Sequence, residues 1–293
     1  MHHDGVTVDE AVIRRLLAAQ FPEWADLPLE AVAPRGTDNW LYRLGAELVV
    51  RLPCRERTVA TLVRERTLLP RLAGRLPLEI PLPVAVGEPG AGYPWTWSVY
   101  RWLDGENAIE APPADLARAA VDLAALLAGL QGVDPAGAPG PGEDNFFRGA
   151  PLEAFDTRVR VDLAQLRDEI DVEAAATVWE AAVRAPGWTG PPVWVHGDLD
   201  RRNLLTRERR LAAVVDFGCV GVGDPACDVA VAWKVLSPPT RYIFRSGLGV
   251  DEATWERARG WAVSQALGAL AYYTRETNPT LVAEARRWLA DAL

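Results

Sequence analysis

The feature that most constrains this chain is a polar island between apolar runs near residue 200. It reads His196-Gly197-Asp198-Leu199-Asp200-Arg201-Arg202-Asn203-Leu204-Leu205, and a hairpin-length stretch later it reaches Asp216-Phe217-Gly218. Such an order suits phosphoryl transfer. Charge builds on phosphate oxygens, so magnesium needs hard oxygen donors. An acceptor hydroxyl needs a carboxylate within hydrogen-bond reach. One Asp before a short loop, an Asn five residues on and a second Asp ending the next strand can converge on one point. His-x-Asp-x4-Asn, then an apolar strand and Asp-Phe-Gly, is a far more specific order than a lone His-x-Asp. The competing reading is a buried polar turn that caps a hairpin.

Around the island the chain divides in two. Thr7 with Glu10 makes a capping box ahead of a helical run to about Gln20. Trp40–Leu44 and Leu48–Leu52 read as strands joined at Gly45-Ala46. Residues 57–73 look helical, with Pro70 as a kink or stop. Trp95–Leu103 has strand character. Residues 1–103 therefore form a small α+β unit, and residues 104–293 a mostly helical one. In the latter, Pro112-Pro113 opens a run with Leu116, Ala119, Leu123, Leu126 and Leu130 at helical spacing. Residues 133–150 form a Gly/Pro-rich loop, and further helical runs cover about 152–184, 225–236, 251–273 and 280–292. One β-rich insert holds Val193–His196, Leu204–Thr206 and Leu211–Phe217.

Composition excludes several functions. A net charge of −9 argues against nucleic acid. There is no apolar stretch long enough to span a bilayer, and no signal-peptide pattern at the start, so a cytoplasmic protein is expected; its oligomeric state stays open, with a monomer favoured. Cys54, Cys219 and Cys227 are too scattered for a disulfide framework or a zinc site. Beyond His2 and His3 the only histidine is His196, which rules out a histidine-rich metal centre. Lys234 is the only lysine. Residues 1–103 hold twelve acids and twelve bases, and residues 104–293 hold 28 acids against 19 bases. That acidic half can attract a cationic small molecule, or simply be a solvated surface.

On these motifs the sequence resembles the aminoglycoside phosphotransferase family of small-molecule kinases. Val193–Asn203, Val214–Asp228 with its Gly223-Asp224-Pro225 turn, and residues 36–52 carry the resemblance. It implies an α+β, bilobal protein-kinase-like fold, with a small β-rich N-terminal lobe and a larger helical C-terminal lobe. It also implies Mg2+ and a nucleotide, ATP or GTP, as donor. Asp198 would be the catalytic base, and Asn203 and Asp216 would hold magnesium. His196 would brace the loop rather than act as a base. Asp228 would brace it too, a plain helix N-cap being the alternative. In the N-terminal unit Thr37 and Asn39, within Gly36-Thr37-Asp38-Asn39, would approach phosphates, although this is also ordinary turn chemistry. The backbone of Arg101 and Leu103 would meet the base edge.

One departure stands out. Kinases place a Lys on the third strand, paired with a helix Glu. Here the strand position is Arg51, and Glu65 fits the partner. Arginine keeps the charge but offers a fork rather than a point ammonium. Arg51 is read as a phosphate ligand, against the alternative of a surface strand residue, and it keeps a nucleotide-binding pseudokinase open. The expected acceptor is a hydroxylated, cationic compound such as an aminoglycoside antibiotic, with a metabolic kinase as the alternative. The acids available to hold it are Asp104, Glu106, Glu110, Asp144, Asp200, Asp251 and Glu276, with Asp200 best placed.

Overall fold

The computed structural model describes residues 8–32 and 39–293. Thr7 and the Gly36–Asp38 turn, including Thr37, lie outside the described residues. The first helix, α1 (Glu10–Gln20), is capped by Asp9, whose side chain accepts from the Val12 N–H at 2.8 Å. The strands β1 (Leu29–Ala31), β2 (Asn39–Leu44) and β3 (Leu48–Pro53) precede helix α2 (Arg57–Leu72), and β4 (Pro83–Gly87) and β5 (Trp97–Arg101) follow it. They form one antiparallel sheet in the order β1-β2-β3-β5-β4. Gly45, at φ +61°, makes the expected β2–β3 turn. The sequence reading missed β1 and β4. Both are edge strands, and β4 opens on Pro83 with Val84 and Val86 exposed, so it lacks the signature of a buried strand. Pro70 sits in the last turn of α2, which ends two residues beyond it at Leu72.

The two-residue period of a strand decides what faces what. Val50 and Leu52 of β3, with Trp97 and Val99 of β5, join Ile13, Leu16 and Leu17 of α1 in a small core. Each such side chain contributes about 1.5–3 kcal/mol. The alternate residues, Val49 and Arg51 on β3 and Ser98 and Tyr100 on β5, must point to the other face. There α2 lies, and its Leu62, Leu68, Leu69 and Leu72 belong with Tyr100 to the larger core of the helical part. Helix α2 thus bonds the two halves together.

Beyond β6 (Glu106–Asn107), helix α3 (Leu116–Gln131) starts at Asp115, whose carboxylate accepts from the N–H groups of Ala117 and Arg118. The first helical residue falls four after Pro112, because the Asp115 cap rather than the proline pair sets the start. The 152–184 run is split into α4 (Asp156–Gln165) and α5 (Val172–Arg184). The predicted single β-rich insert is two small sheets. β7 (Val193–Val195) pairs with β10 (Gly221–Gly223), while β8 (Leu204–Arg207) and β9 (Arg210–Val214) form a hairpin beside β6. Then come α6 (Ala226–Val229), α7 (Val231–Val235), the unforeseen α8 (Pro238–Leu248), α9 (Glu252–Tyr272) and α10 (Pro279–Ala292). Helix α9 buries Ala258, Trp261, Ala262, Val263, Ala266 and Leu267 at the centre of the lobe. No helix among the described residues is long and apolar enough to cross a membrane.

Candidate active site

The segment 196–203 joins two different sheets, and its geometry follows from that. Leaving β7 it must turn sharply. Gly197 takes φ +86°, and a Cβ there would meet the Cys219 carbonyl at 2.8 Å and the Arg148 Cβ at 2.9 Å. Asp228, inside α6 and buried, accepts from the His196 N–H at 2.6 Å and the Gly197 N–H at 2.8 Å. It is an anchor for the loop from within the helix, not the N-cap of that helix. His196 is fully buried. Its Nε2 lies 3.1 Å from the Val215 carbonyl, and its Nδ1 accepts from the Asp198 N–H at 3.2 Å. That pattern requires the Nε2–H tautomer, so the ring bridges the loop to the strand before Asp216. Phe217 packs on it with ring centres 4.4 Å apart.

Asp198 and Asn203 meet directly. The Asn203 amide nitrogen donates to the Asp198 carbonyl at 2.8 Å and lies 3.2 Å from Asp198 Oδ2. The amide nitrogen is thereby committed, and the amide oxygen is the end left for a cation. Asp216 follows one residue after Val215, whose N–H bonds to the Asn203 carbonyl at 2.9 Å. It takes a left-handed backbone, φ +64°, a conformation that costs a non-glycine residue about 1–3 kcal/mol and persists where surroundings enforce it. Gly218 lies against Thr61 of α2.

Arg51 and Glu65 are brought together across the β3–α2 interface. Nη1 reaches both carboxylate oxygens, at 2.7 and 2.8 Å, and Nη2 reaches Asp216 Oδ1 at 3.0 Å. Glu65 is fully buried and Arg51 nearly so. Burial opposes the Arg51 charge, but the two carboxylates outweigh it and raise its pKa above the ordinary value. Burial likewise pushes Glu65 up, to about 7, against the downward pull of Arg51. Arg51 is therefore not a surface strand residue. Asn39 is buried on β2, and with its amide oxygen turned to Arg51 it accepts from Nε and Nη2 at 3.3 and 3.1 Å. Its side chain thus backs the guanidinium.

Other expected residues fit less well. The Arg101 N–H donates to the Leu82 carbonyl at 3.0 Å, so that group is committed within the sheet. Its exposed side chain lies 3.6 Å from Glu47. Leu103 follows β5, half-buried, on the way to β6. Asp200, the acid expected to be best placed for a cationic acceptor, is fully buried. It caps the next turn by accepting from the Arg202 N–H, and it takes Arg202 Nε and Nη2 at 3.0 and 2.5 Å. Asp251 is the N-cap of α9. Asp104 accepts from the Trp102 indole at 2.9 Å, and Asp144 lies 3.7 Å from Arg64. Glu106, Glu110 and Glu276 stay exposed.

The sequence reading overlooked a ring of cations. Arg202 Nη2 lies 3.6 Å from Asp198 Oδ2, and Arg148 Nη2 lies 3.8 Å from Asp198 Oδ1. Lys234 is buried on α7, its ammonium donating to the Leu199 carbonyl at 3.2 Å and lying 5.0 Å from the Trp288 ring centre. Burial tends to raise the Asp198 pKa, but Arg202, Arg148 and Lys234 outweigh it and bring it down to about 2. The loop is also tied to α10 by the pair of Arg201 with Glu284, which Arg287 joins at 2.8 Å. A lone lysine inside the apolar run Val229–Leu236 was the one available signal for this arrangement. The arginines carried none, being thirty among 293 residues.

Comparison with known proteins agrees with the geometry. The profile of the phosphotransferase enzyme family matches residues 31–261. An aminoglycoside 3'-phosphotransferase of Escherichia coli is 28% identical over 111 residues, 37% of this chain and 41% of that protein. An uncharacterised protein of Deinococcus radiodurans is 30% identical over 191 residues, 61% of this chain and 53% of that one. These matches thus span about half or less of the length of the curated relatives. Among solved structures, the GDP complex of wild-type aminoglycoside 2'-phosphotransferase-IIIa superposes with a TM-score of 0.73 at 19% identity, covering 97% of this chain and 98% of that one. A macrolide 2'-phosphotransferase from Brachybacterium faecium gives 0.63 at 22% identity, covering 94% and 98%. The fold is accordingly the bilobal, protein-kinase-like one, and with most of its length matched by the family profile the chain belongs to the phosphotransferase enzyme family.

Proposed function

We propose that the protein is a small-molecule kinase that transfers the γ-phosphoryl group of ATP or GTP to an acceptor hydroxyl. The observation that carries this is the ion-paired chain Glu65–Arg51–Asp216, set beside the Asn203–Asp198 contact. Asp198, held ionised by its cations, orients the hydroxyl and takes its proton. Arg51, fixed by Glu65, binds phosphate oxygens with its fork. Nucleotide is gripped between residues 1–103 and 104–293, with Arg101 and Leu103 near the base.

Magnesium fits the donor set. Asn203 offers an amide oxygen and Asp216 a half-exposed carboxylate, and Mg2+ is commonly held by one or two protein oxygens with phosphates and water completing the shell. When bound it would neutralise charge between the phosphates. Both nucleotides stay in the proposal because proteins of this fold are known as GDP, ADP and ATP complexes. An antibiotic is the favoured acceptor, since the structural neighbours include aminoglycoside and macrolide phosphotransferases. A metabolic kinase of a small hydroxylated compound is the alternative. The direct Arg51–Asp216 contact supports a second reading, a nucleotide-binding pseudokinase in which that pair never opens. A cytoplasmic monomer completes the proposal.

The test is a mass-spectrometric transfer screen with magnesium and either ATP or GTP, against aminoglycosides, macrolides, other antibiotics, choline and amino-sugars. A phosphoryl mass gain that disappears in Asp198→Asn supports the kinase. Nucleotide binding with no Asp198-dependent hydrolysis or transfer supports the pseudokinase.

A further inference from the structure

We infer that the acceptor is a hydroxylated compound with an apolar face and at most one positive charge, held against the segment Phe146–Phe147–Arg148; this rests on the kinase reading above. A polycation needs free carboxylates around the reacting hydroxyl; the buried carboxylates of the catalytic loop and its supporting helices are taken, and the exposed Asp144 on the turn before Phe146 lies 3.7 Å from Arg64. Asp200 is paired with Arg202, Glu284 with Arg201 and Arg287, and Asp224 with Arg257 at 2.7 Å. Asp228 accepts two backbone N–H groups.

The charge left near the base is positive. Asp198 Oδ2 is engaged by Asn203, so Oδ1 is the oxygen left for a hydroxyl, and Arg148 Nη2 lies 3.8 Å from it. Arg148 Nε is buried without a hydrogen-bond partner. Whether this guanidinium meets the acceptor or the phosphoryl group in transit, an ammonium brought to the same oxygen is repelled.

The two residues before Arg148 supply the apolar face. Phe146 and Phe147 are 54% and 45% exposed, and both adopt left-handed backbone, φ +54° and +56°. Adjacent bulky residues rarely do so. The loop that presents them is docked. Asn145, fully buried, accepts from the Gly142 N–H at 2.9 Å, and the Gly149 carbonyl accepts from the Asp224 N–H at 2.9 Å. The 3-10 turn at Glu143–Asn145 packs on that of Phe217–Cys219, immediately after Asp216. Two exposed rings on a fixed loop, immediately before the arginine that reaches Asp198, suit an apolar ligand surface.

The test compares transfer to kanamycin, a polycation, with transfer to a macrolide, a large apolar lactone bearing one amine, using magnesium with ATP and with GTP. The expected result is a kcat/KM at least tenfold higher for the macrolide. Phe146→Ser/Phe147→Ser should raise the macrolide KM about tenfold while the nucleotide KM moves less than twofold. Arg148→Gln should narrow the preference over kanamycin. Phe146→Leu/Phe147→Leu, which keeps apolar surface, should recover most of the macrolide KM and guards against a folding artefact. Equal or better use of kanamycin, or an unmoved macrolide KM in the Ser variant, overturns the inference. So does failure to phosphorylate the macrolide while Asp198-dependent nucleotide hydrolysis persists. Nucleotide hydrolysis indifferent to Asp198→Asn would instead sink the kinase reading itself.

Discussion

Arg51 holds Asp216 at 3.0 Å while gripping both oxygens of Glu65, so one guanidinium joins strand β3, helix α2 and the residue proposed to hold the metal. Removing it leaves a buried carboxylate without compensation. Arg51→Ala should therefore cost about 3–5 kcal/mol of stability and raise the nucleotide KM at least tenfold. Arg51→Met/Glu65→Met should recover most of the stability and none of the nucleotide affinity, as read by thermal melts and nucleotide titration. Wild-type affinity in the double variant would deny Arg51 a phosphate role.

Asp228 separates an anchoring role from a helix cap. Asp228→Ala leaves the His196 and Gly197 N–H groups buried and unpaired, at about 1–3 kcal/mol each. Because these groups fix the turn into Asp198, kcat should fall at least a hundredfold in protein that still melts cooperatively. A kcat close to wild type with a lowered Tm would make Asp228 a stability residue only.

Arg257 offers the opposite outcome. It meets Asp224 at 2.7 and 3.2 Å inside the helical lobe, and Asp224 also accepts from the Ala226 N–H at the start of α6. Arg257→Ala should lower stability by about 3–5 kcal/mol, by the same loss of a buried partner. The catalytic constants per folded molecule should change only a few-fold. Urea unfolding and active-site titration of the same samples check both halves.

The cations around Asp198 set a pH dependence. Its folded pKa, about 2, lies below the unfolded value. The stabilisation is thus fully present above about pH 4 and is lost as pH falls through the folded pKa. The kcat/KM profile should carry no acid limb from Asp198 above about pH 4, and Arg202→Gln should move that limb upward. An acid limb near pH 6 that shifts with Arg202→Gln would contradict the assignment.

Local chemistry was legible in the sequence. A hydrogen-bonding motif of fixed spacing, His196 to Asn203 and then Asp216, reads directly because turns and short loops impose their geometry over a few residues. The pairing of Arg51 with Glu65 came from the kinase pattern of a basic strand residue and a Glu on the following helix, and the period of two along β3 is what turns Arg51 toward α2. The resemblance to a kinase family added the lobes. Helix starts slipped by two or three residues, to Asp9 and Asp115, whose carboxylates accept the free N–H groups of the first turn.

Tertiary structure alone decided which charges remain free. Asp200 and Asp104 look alike as sequence, yet one is buried under Arg202 and the other is exposed. Arg148 looks like any of thirty arginines until the chain brings it, from fifty residues away, to within 3.8 Å of Asp198. The pairing of β7 with β10, rather than with its neighbour β8, was equally invisible. Ion pairing and burial are set by residues far apart in the chain and by the desolvation that packing imposes. Composition and periodicity can therefore say that a half is acidic, while only the folded chain shows that the neighbourhood of Asp198 is cationic.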